Sequence, residues 1–155
     1  MKNDIELYKS FFQKRDDYYL EKLDKYNQSK KFTFNYATLI FGIFWFLYRK
    51  MYIEVIIIYS LISLESLFEN LFLKRLIGEE RTVIFSLCVT VLFIITTGFS
   101  GNLLYLKKAM RTVSKAQKKY PDFENQNSYV AKKGGTSFIV ISIIIISLVL
   151  ILALQ

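Results

Sequence analysis

The chain has 155 residues, more than half of them hydrophobic and 17% aromatic, and carries a net charge of +8. That is more apolar surface than a soluble domain of this size can hide, so the composition points to an integral membrane protein. Histidine is absent and Cys88 is the sole cysteine. This excludes His-based acid–base catalysis, disulfide pairing within the chain and Cys/His metal or haem sites, and no cofactor is expected.

The first 31 residues are polar and heavily charged, with eight basic and six acidic side chains. No short apolar core with a cleavage site follows, so no signal peptide is expected and the spans themselves serve as insertion signals. Ile5, Tyr8, Phe12, Tyr19, Leu23 and Tyr26 recur at steps of three, four or seven. That spacing predicts one amphipathic helix over Met1–Lys31, lying at the membrane surface, packed on the rest of the protein or docking a partner helix.

Phe34 to Tyr48 is uncharged and aromatic, with Asn35 at its entrance, Gly42 in its middle and Trp45 and Tyr48 at its end; Arg49 and Lys50 stop the run. Fifteen residues of helix make only about 22 Å, short of the ~30 Å of a bilayer core. The segment either crosses as a short helix or dips and returns. Two further runs, 51–73 and 82–106, and a last one, 136–154, are each long enough to span. Between the last two lies a basic segment, 107–133, with eight Lys or Arg against Asp122 and Glu124. Its first part extends the preceding helix, Pro121 ends that helix, Gly134 and Gly135 form a hinge, and Thr136 or Ser137 caps the last span.

Charge counting chooses between dip and crossing. With a dip, 18 of the 21 basic residues share one side and only Lys74, Arg75 and Arg81 lie opposite. With a crossing, the two basic clusters fall on opposite sides. The positive-inside rule prefers the dip. The expected fold is therefore an all-α integral membrane protein with an N-terminal amphipathic helix, one membrane-dipping helix over 34–48 and three transmembrane helices. Its membrane domain covers 32–106, its N-terminus is cytoplasmic and its C-terminus is outside. The positive charge then meets anionic lipid rather than nucleic acid.

Polar groups inside apolar runs mark the candidate sites. Glu54, Glu65 and Glu69 lie near one face of the 51–73 helix. Lys50, one turn before Glu54, can neutralise it, whereas Glu65 lies deepest and is the candidate functional ionisable group. Structural roles are open to it as well: protonation, or bonds to Ser or Thr of a neighbouring span. In the 82–106 run, Thr97 and Gly101 form a small-xxx-small pair that admits a second helix closely, with Asn102 able to bond across the contact. The expected partner is the dipping helix, through Asn35 and Arg49. Cys88 is expected to be a small buried hydrophobe. No catalytic fingerprint occurs, and no enzymatic activity is expected.

The stretch FNYATLIFGIFWFLYRKMY resembles the bacterial membrane-protein family called domain of unknown function 2628. Phe34, Asn35, Ala37, Phe41, Gly42, Trp45, Tyr48, Arg49, Lys50, Met51 and Tyr52 fit its pattern. So do the Tyr18–Tyr19 pair, a G-x-x-G-N-x-x-Y element formed by Gly98, Gly101, Asn102 and Tyr105, and the turn Gly134–Gly135–Thr136. Tyr36 replaces a usual Trp, and Ile43 stands where Pro is common. The resemblance covers roughly 18–140 and implies a small multi-span protein of the bacterial inner membrane, but no activity.

Three roles follow as expectations. The first is a non-enzymatic scaffold, helper subunit or envelope-associated factor, working through a protein partner or as a homo-oligomer. The second is a small transporter or channel subunit with a polar path at Glu65 and Asn102. The third is an anionic lipid-headgroup binder using Arg49, Lys50 and the 107–133 segment.

Overall fold

The computed structural model describes residues 2–30 and 32–153, all in helices or short connections. Met1 and Lys31, which bound the predicted N-terminal helix, Leu154, which ends the predicted last span, and Gln155 lie outside the described residues.

The predicted single N-terminal helix is two helices, α1 (Lys2–Phe12) and α2 (Asp16–Asn27). The break falls where Gln13 and Arg15 adopt positive φ of 52° and 62°. A helix end leaves carbonyls without partners, and here distant groups take them. Gly135 N–H donates to Phe11 O at 2.7 Å, and the Arg49 guanidinium donates to Phe12 O and Lys14 O at 3.3 and 3.2 Å. Tertiary contacts thus satisfy the break, and no Gly or Pro announces it. The inward face of α1 is also rotated from the expected one: Leu7, Phe11 and Phe12 are buried, while Ile5 is exposed.

The aromatic stretch folds as α3 (Tyr36–Phe41) and α4 (Ile43–Tyr48), bent at Gly42 with φ +49°. The bend needs glycine and not proline, so Ile43 does not prevent it. A Schellman motif closes α4: Met51 N–H donates to Phe46 O and Lys50 N–H to Leu47 O, with Lys50 left-handed at φ 56°. The Lys108 ammonium donates to the Arg49 and Lys50 carbonyls, at 3.3 and 2.6 Å, placing a cation at this helix end.

Among the described residues, two helices are long and apolar enough to cross a membrane. The first covers Tyr52–Ile77 and comprises α5 (Tyr52–Phe68), a π-helical turn (Glu69–Leu73) and α6 (Lys74–Ile77). The second, α7 (Glu79–Lys119), follows after Gly78 alone, a shorter turn than predicted. As expected, α7 runs on beyond 106 and stops before Pro121. The segment after it, basic and without apolar periodicity in the sequence, folds as α8 (Phe123–Lys133), capped by Asp122, which accepts from Asn125 N–H at 2.9 Å.

The last apolar helix, α9 (Ile139–Ala153), is 15 residues long, shorter than the predicted span over 136–154. Its start is delayed because the preceding chain is held elsewhere. Ser137 N–H donates to Tyr48 O, and Ser137 Oγ accepts from Ile139 N–H at 3.3 Å as the cap. Gly134 and Gly135 are not a free hinge. They press on the Phe11 backbone, where any side chain on Gly134 would collide.

The core gathers where α1, α2, α4, α8 and the C-terminal half of α7 meet. Leu7, Phe11, Phe12, Tyr19, Trp45 and Tyr105 fill it. Tyr105 sits at its centre with no exposed surface, and its ring centroid lies 4.9–5.8 Å from those of Phe11, Phe12, Tyr19 and Trp45. Along α7, Asn102, Tyr105, Ala109, Val113 and Ala116 form the buried stripe at helical spacing. The remainder of α5, the first half of α7 and α9 expose their Ile, Leu, Val and Phe side chains. Cys88 lies on this face and is exposed, not buried as expected.

Candidate functional site

The polar groups collect where α3 and α4 meet α7. Asn35 caps α3, its Oδ1 accepting from Thr38 N–H at 3.1 Å. Its own N–H donates to Gly98 O at 2.9 Å, a main-chain bond between two elements that needs close approach. Gly98 and Gly101 permit it. A methyl on Gly98 would lie 3.1 Å from the Phe34 ring, and one on Gly101 would lie 2.9 Å from Thr38 Cβ. The small pair is therefore Gly98 and Gly101; the Thr97 hydroxyl turns back to Ile94 O of its own helix at 2.8 Å.

Asn102 completes this joint. Its Oδ1 accepts from Asn35 Nδ2 at 2.9 Å. Its Nδ2 faces Tyr18 Oη and Thr33 Oγ1 at 3.0 Å each, with the Thr33 and Phe34 carbonyls slightly farther. One buried amide thus ties α2, the entrance of α3 and α7 together. Hydrogen bonds to both its oxygen and its amino group offset the cost of burying the amide and hold the register of the contact.

Arg49 forms a second node, one turn farther along α7. It is buried, at 3% exposure, and not held at the surface as its place beside Lys50 suggested. Besides Phe12 O and Lys14 O it donates to Tyr105 Oη at 3.3 Å. Its guanidinium stacks over Tyr19 and Tyr105, 4.7 and 5.1 Å from the centroids. Burial pushes the Tyr19 hydroxyl above its usual range, and the nearby Arg49 charge opposes that shift. Burial pushes the Lys108 ammonium down to about 8, with Glu54 working in the opposite direction.

The remaining sequence candidates are placed as follows. Trp45 is buried against Tyr105. Tyr48 packs on Phe138, 4.7 Å between centroids, and so anchors α9. Lys50 directs its ammonium to Lys132 O at 3.5 Å rather than to Glu54, because its left-handed backbone turns the chain there. Glu65 is beside Glu69 of its own helix and is not among the partners of Asn102, so the structure does not bring the suggested polar path together. Thr38, Lys108 and Phe12 take part although none was singled out for the site. Thr38 enters through its main-chain N–H, which almost any residue there would supply, and nothing local marks Lys108 or Phe12.

Comparison with curated proteins finds no match, and none is found among solved structures. A family model described as "Protein of unknown function (DUF2628)" matches residues 9–111, about two thirds of the chain. The matched region runs from within α1 to the part of α7 that contacts it, and so includes both polar nodes. The chain belongs to this family, DUF2628.

Proposed function

We propose that the chain is a multi-pass membrane protein without catalytic activity, acting through contact with an acidic partner at the cytoplasmic surface. Tyr52–Ile77 and the first half of α7 cross the bilayer, and α9 enters it as the third apolar helix. A soluble core helix would be buried, whereas these helices expose their apolar faces. Segment 34–48 dips and returns. Support for the return comes from the bundle: α1 packs on α8 and on α7, and Gln117 Nε2 donates to Asp4 Oδ1 at 2.7 Å. A bilayer passing between these elements would have to part them. The positive-inside rule then assigns the bundle to the cytoplasm of a bacterial inner membrane.

The observation that carries the contact role is a basic ridge on α7. Lys107, Arg111, Lys115 and Lys118 are exposed and lie roughly opposite the stripe that α7 buries. A helix along the membrane normal carries Lys118 about 18 Å beyond Leu106. That exceeds two Debye lengths of ~8 Å at physiological salt, so an anionic bilayer attracts the far end of the ridge only weakly. An acidic protein surface can reach all of it.

The test is affinity capture in mild detergent, comparing the native chain with a variant carrying Arg111→Glu, Lys115→Glu and Lys118→Glu. A stoichiometric partner, retained at low salt and lost both at high salt and in the variant, is expected. Recovery of the native chain alone contradicts the role.

A further inference from the structure

We propose that a cleft between α2, the α3–α4 unit and α9 binds one anionic phospholipid drawn from the surrounding bilayer. The inference rests on the membrane placement above but not on the protein partner. The cleft measures about 800 Å³, within the ~300–1,000 Å³ range of small-molecule sites. Its lining is graded. The α1–α2 junction contributes Lys14 and Arg15, α2 contributes Tyr18 and Tyr19, and Arg49 closes the same end. The other walls are Phe41 and Phe44 from α3 and α4, Phe138 just before α9, and Ile141 and Ile145 from α9. From Phe138, seated on Tyr48, to Ile145 the α9 wall extends about 10 Å by helical rise.

Arg49 supplies the argument for an anion. It is buried, yet among the described residues no carboxylate pairs with it: its donors reach two carbonyls and a phenol, and Nε has no partner. Burying a cation without a counter-ion is costly. Lys14 and Arg15, both exposed, add charge of the same sign at the same mouth. A lipid phosphate there gives Arg49 a counter-charge and is attracted by Lys14 and Arg15 as well, with Tyr18 and Tyr19 in the same lining. The apolar wall selects the source. A free phosphate leaves Phe44, Ile141 and Ile145 uncovered, whereas an acyl chain covers them and continues into the bilayer. A zwitterionic lipid such as phosphatidylcholine covers the wall and brings the same phosphate, but its quaternary ammonium is repelled by Lys14 and Arg15 at the mouth.

Native mass spectrometry of the full chain in mild detergent tests this, titrating phosphatidylglycerol and phosphatidylcholine separately. One phosphatidylglycerol per chain is expected to bind about tenfold more tightly than phosphatidylcholine, a difference of about 1.4 kcal/mol. The double variant Lys14→Gln, Arg15→Gln, which alters only exposed side chains, is expected to lose most of that preference. Ile145→Trp, which fills the apolar wall, is expected to weaken both lipids with helix content unchanged. Equal binding of the two lipids by the native chain overturns the inference, as does an unaltered preference in the double variant. Competition by soluble glycerol phosphate at equal concentration also overturns it. Carbonate extraction of membranes separates the two failures. A chain that resists extraction but shows no lipid preference refutes the cleft alone, and a chain that is extracted refutes the membrane placement as well.

Discussion

Two lysines carry stability effects that their surface character does not suggest. Lys50 holds the left-handed position of the Schellman motif that ends α4, where a side chain costs roughly 1 kcal/mol relative to glycine. Lys50→Gly is expected to stabilise the fold by about that amount, its weak 3.5 Å bond to Lys132 O offsetting little. The unfolding midpoint in detergent reads this directly. Lys108 has its ammonium value lowered to about 8 from 10.5 by burial, with Lys50 and Lys133 lowering it further and Glu54 raising it. Below pH 8 the group is charged in both folded and unfolded chains. Between pH 8 and 10.5 the unfolded chain binds the extra proton, so stability rises with pH through that window. Unfolding midpoints of the native chain and Lys108→Met, compared at pH 7 and pH 10, are expected to show the native chain gaining relative to the variant.

At the scale of elements, the decisive contact is α3 against α7. Gly101→Ala drives a methyl into Thr38, a buried β-branched side chain with little room to move. Gly98→Ala meets the edge of the half-buried Phe34 ring at 3.1 Å, which can tilt. Overpacking of this kind costs about 1–3 kcal/mol; Gly101→Ala is expected near the top of that range and Gly98→Ala near the bottom, measured by unfolding. Much of this joint was legible in the sequence. An Asn at the entrance of one apolar run and an Asn beside small residues in another are costly unless they meet, and they do meet. The break after Phe12 was not legible, because its cause is remote: Arg49 and Gly135 satisfy the freed carbonyls. Helix α8 was hidden because its apolar face, Phe123, Tyr129 and Val130, is sparse within a charged segment. The burial of Arg49 was hidden for a related reason. Beside Lys50 it reads as a surface pair, and only the folded chain stacks tyrosines around it.

As a whole, the molecule consists of an aromatic-cored bundle and a set of outward-facing apolar helices. Composition pointed to the apolar helices, but neither the aromatic core of the bundle nor the manner of joining was legible in it. Segment 34–48 serves both parts, since α4 puts Trp45 and Phe46 into the bundle core while α3 leaves Tyr36, Ile40 and Phe41 exposed. We propose that such a segment stands at the boundary of the bilayer, entering and returning without crossing. The measurement that tests this most directly is cysteine accessibility in intact cells, in a Cys88→Ser background. Single cysteines replace Lys30, Glu79 and Lys118, and a membrane-impermeant maleimide is applied before and after permeabilisation. Labelling at position 79 from outside, with positions 30 and 118 both protected until the membrane is opened, is the predicted result. Opposite accessibility of positions 30 and 118 would make 34–48 a crossing helix and contradict the account.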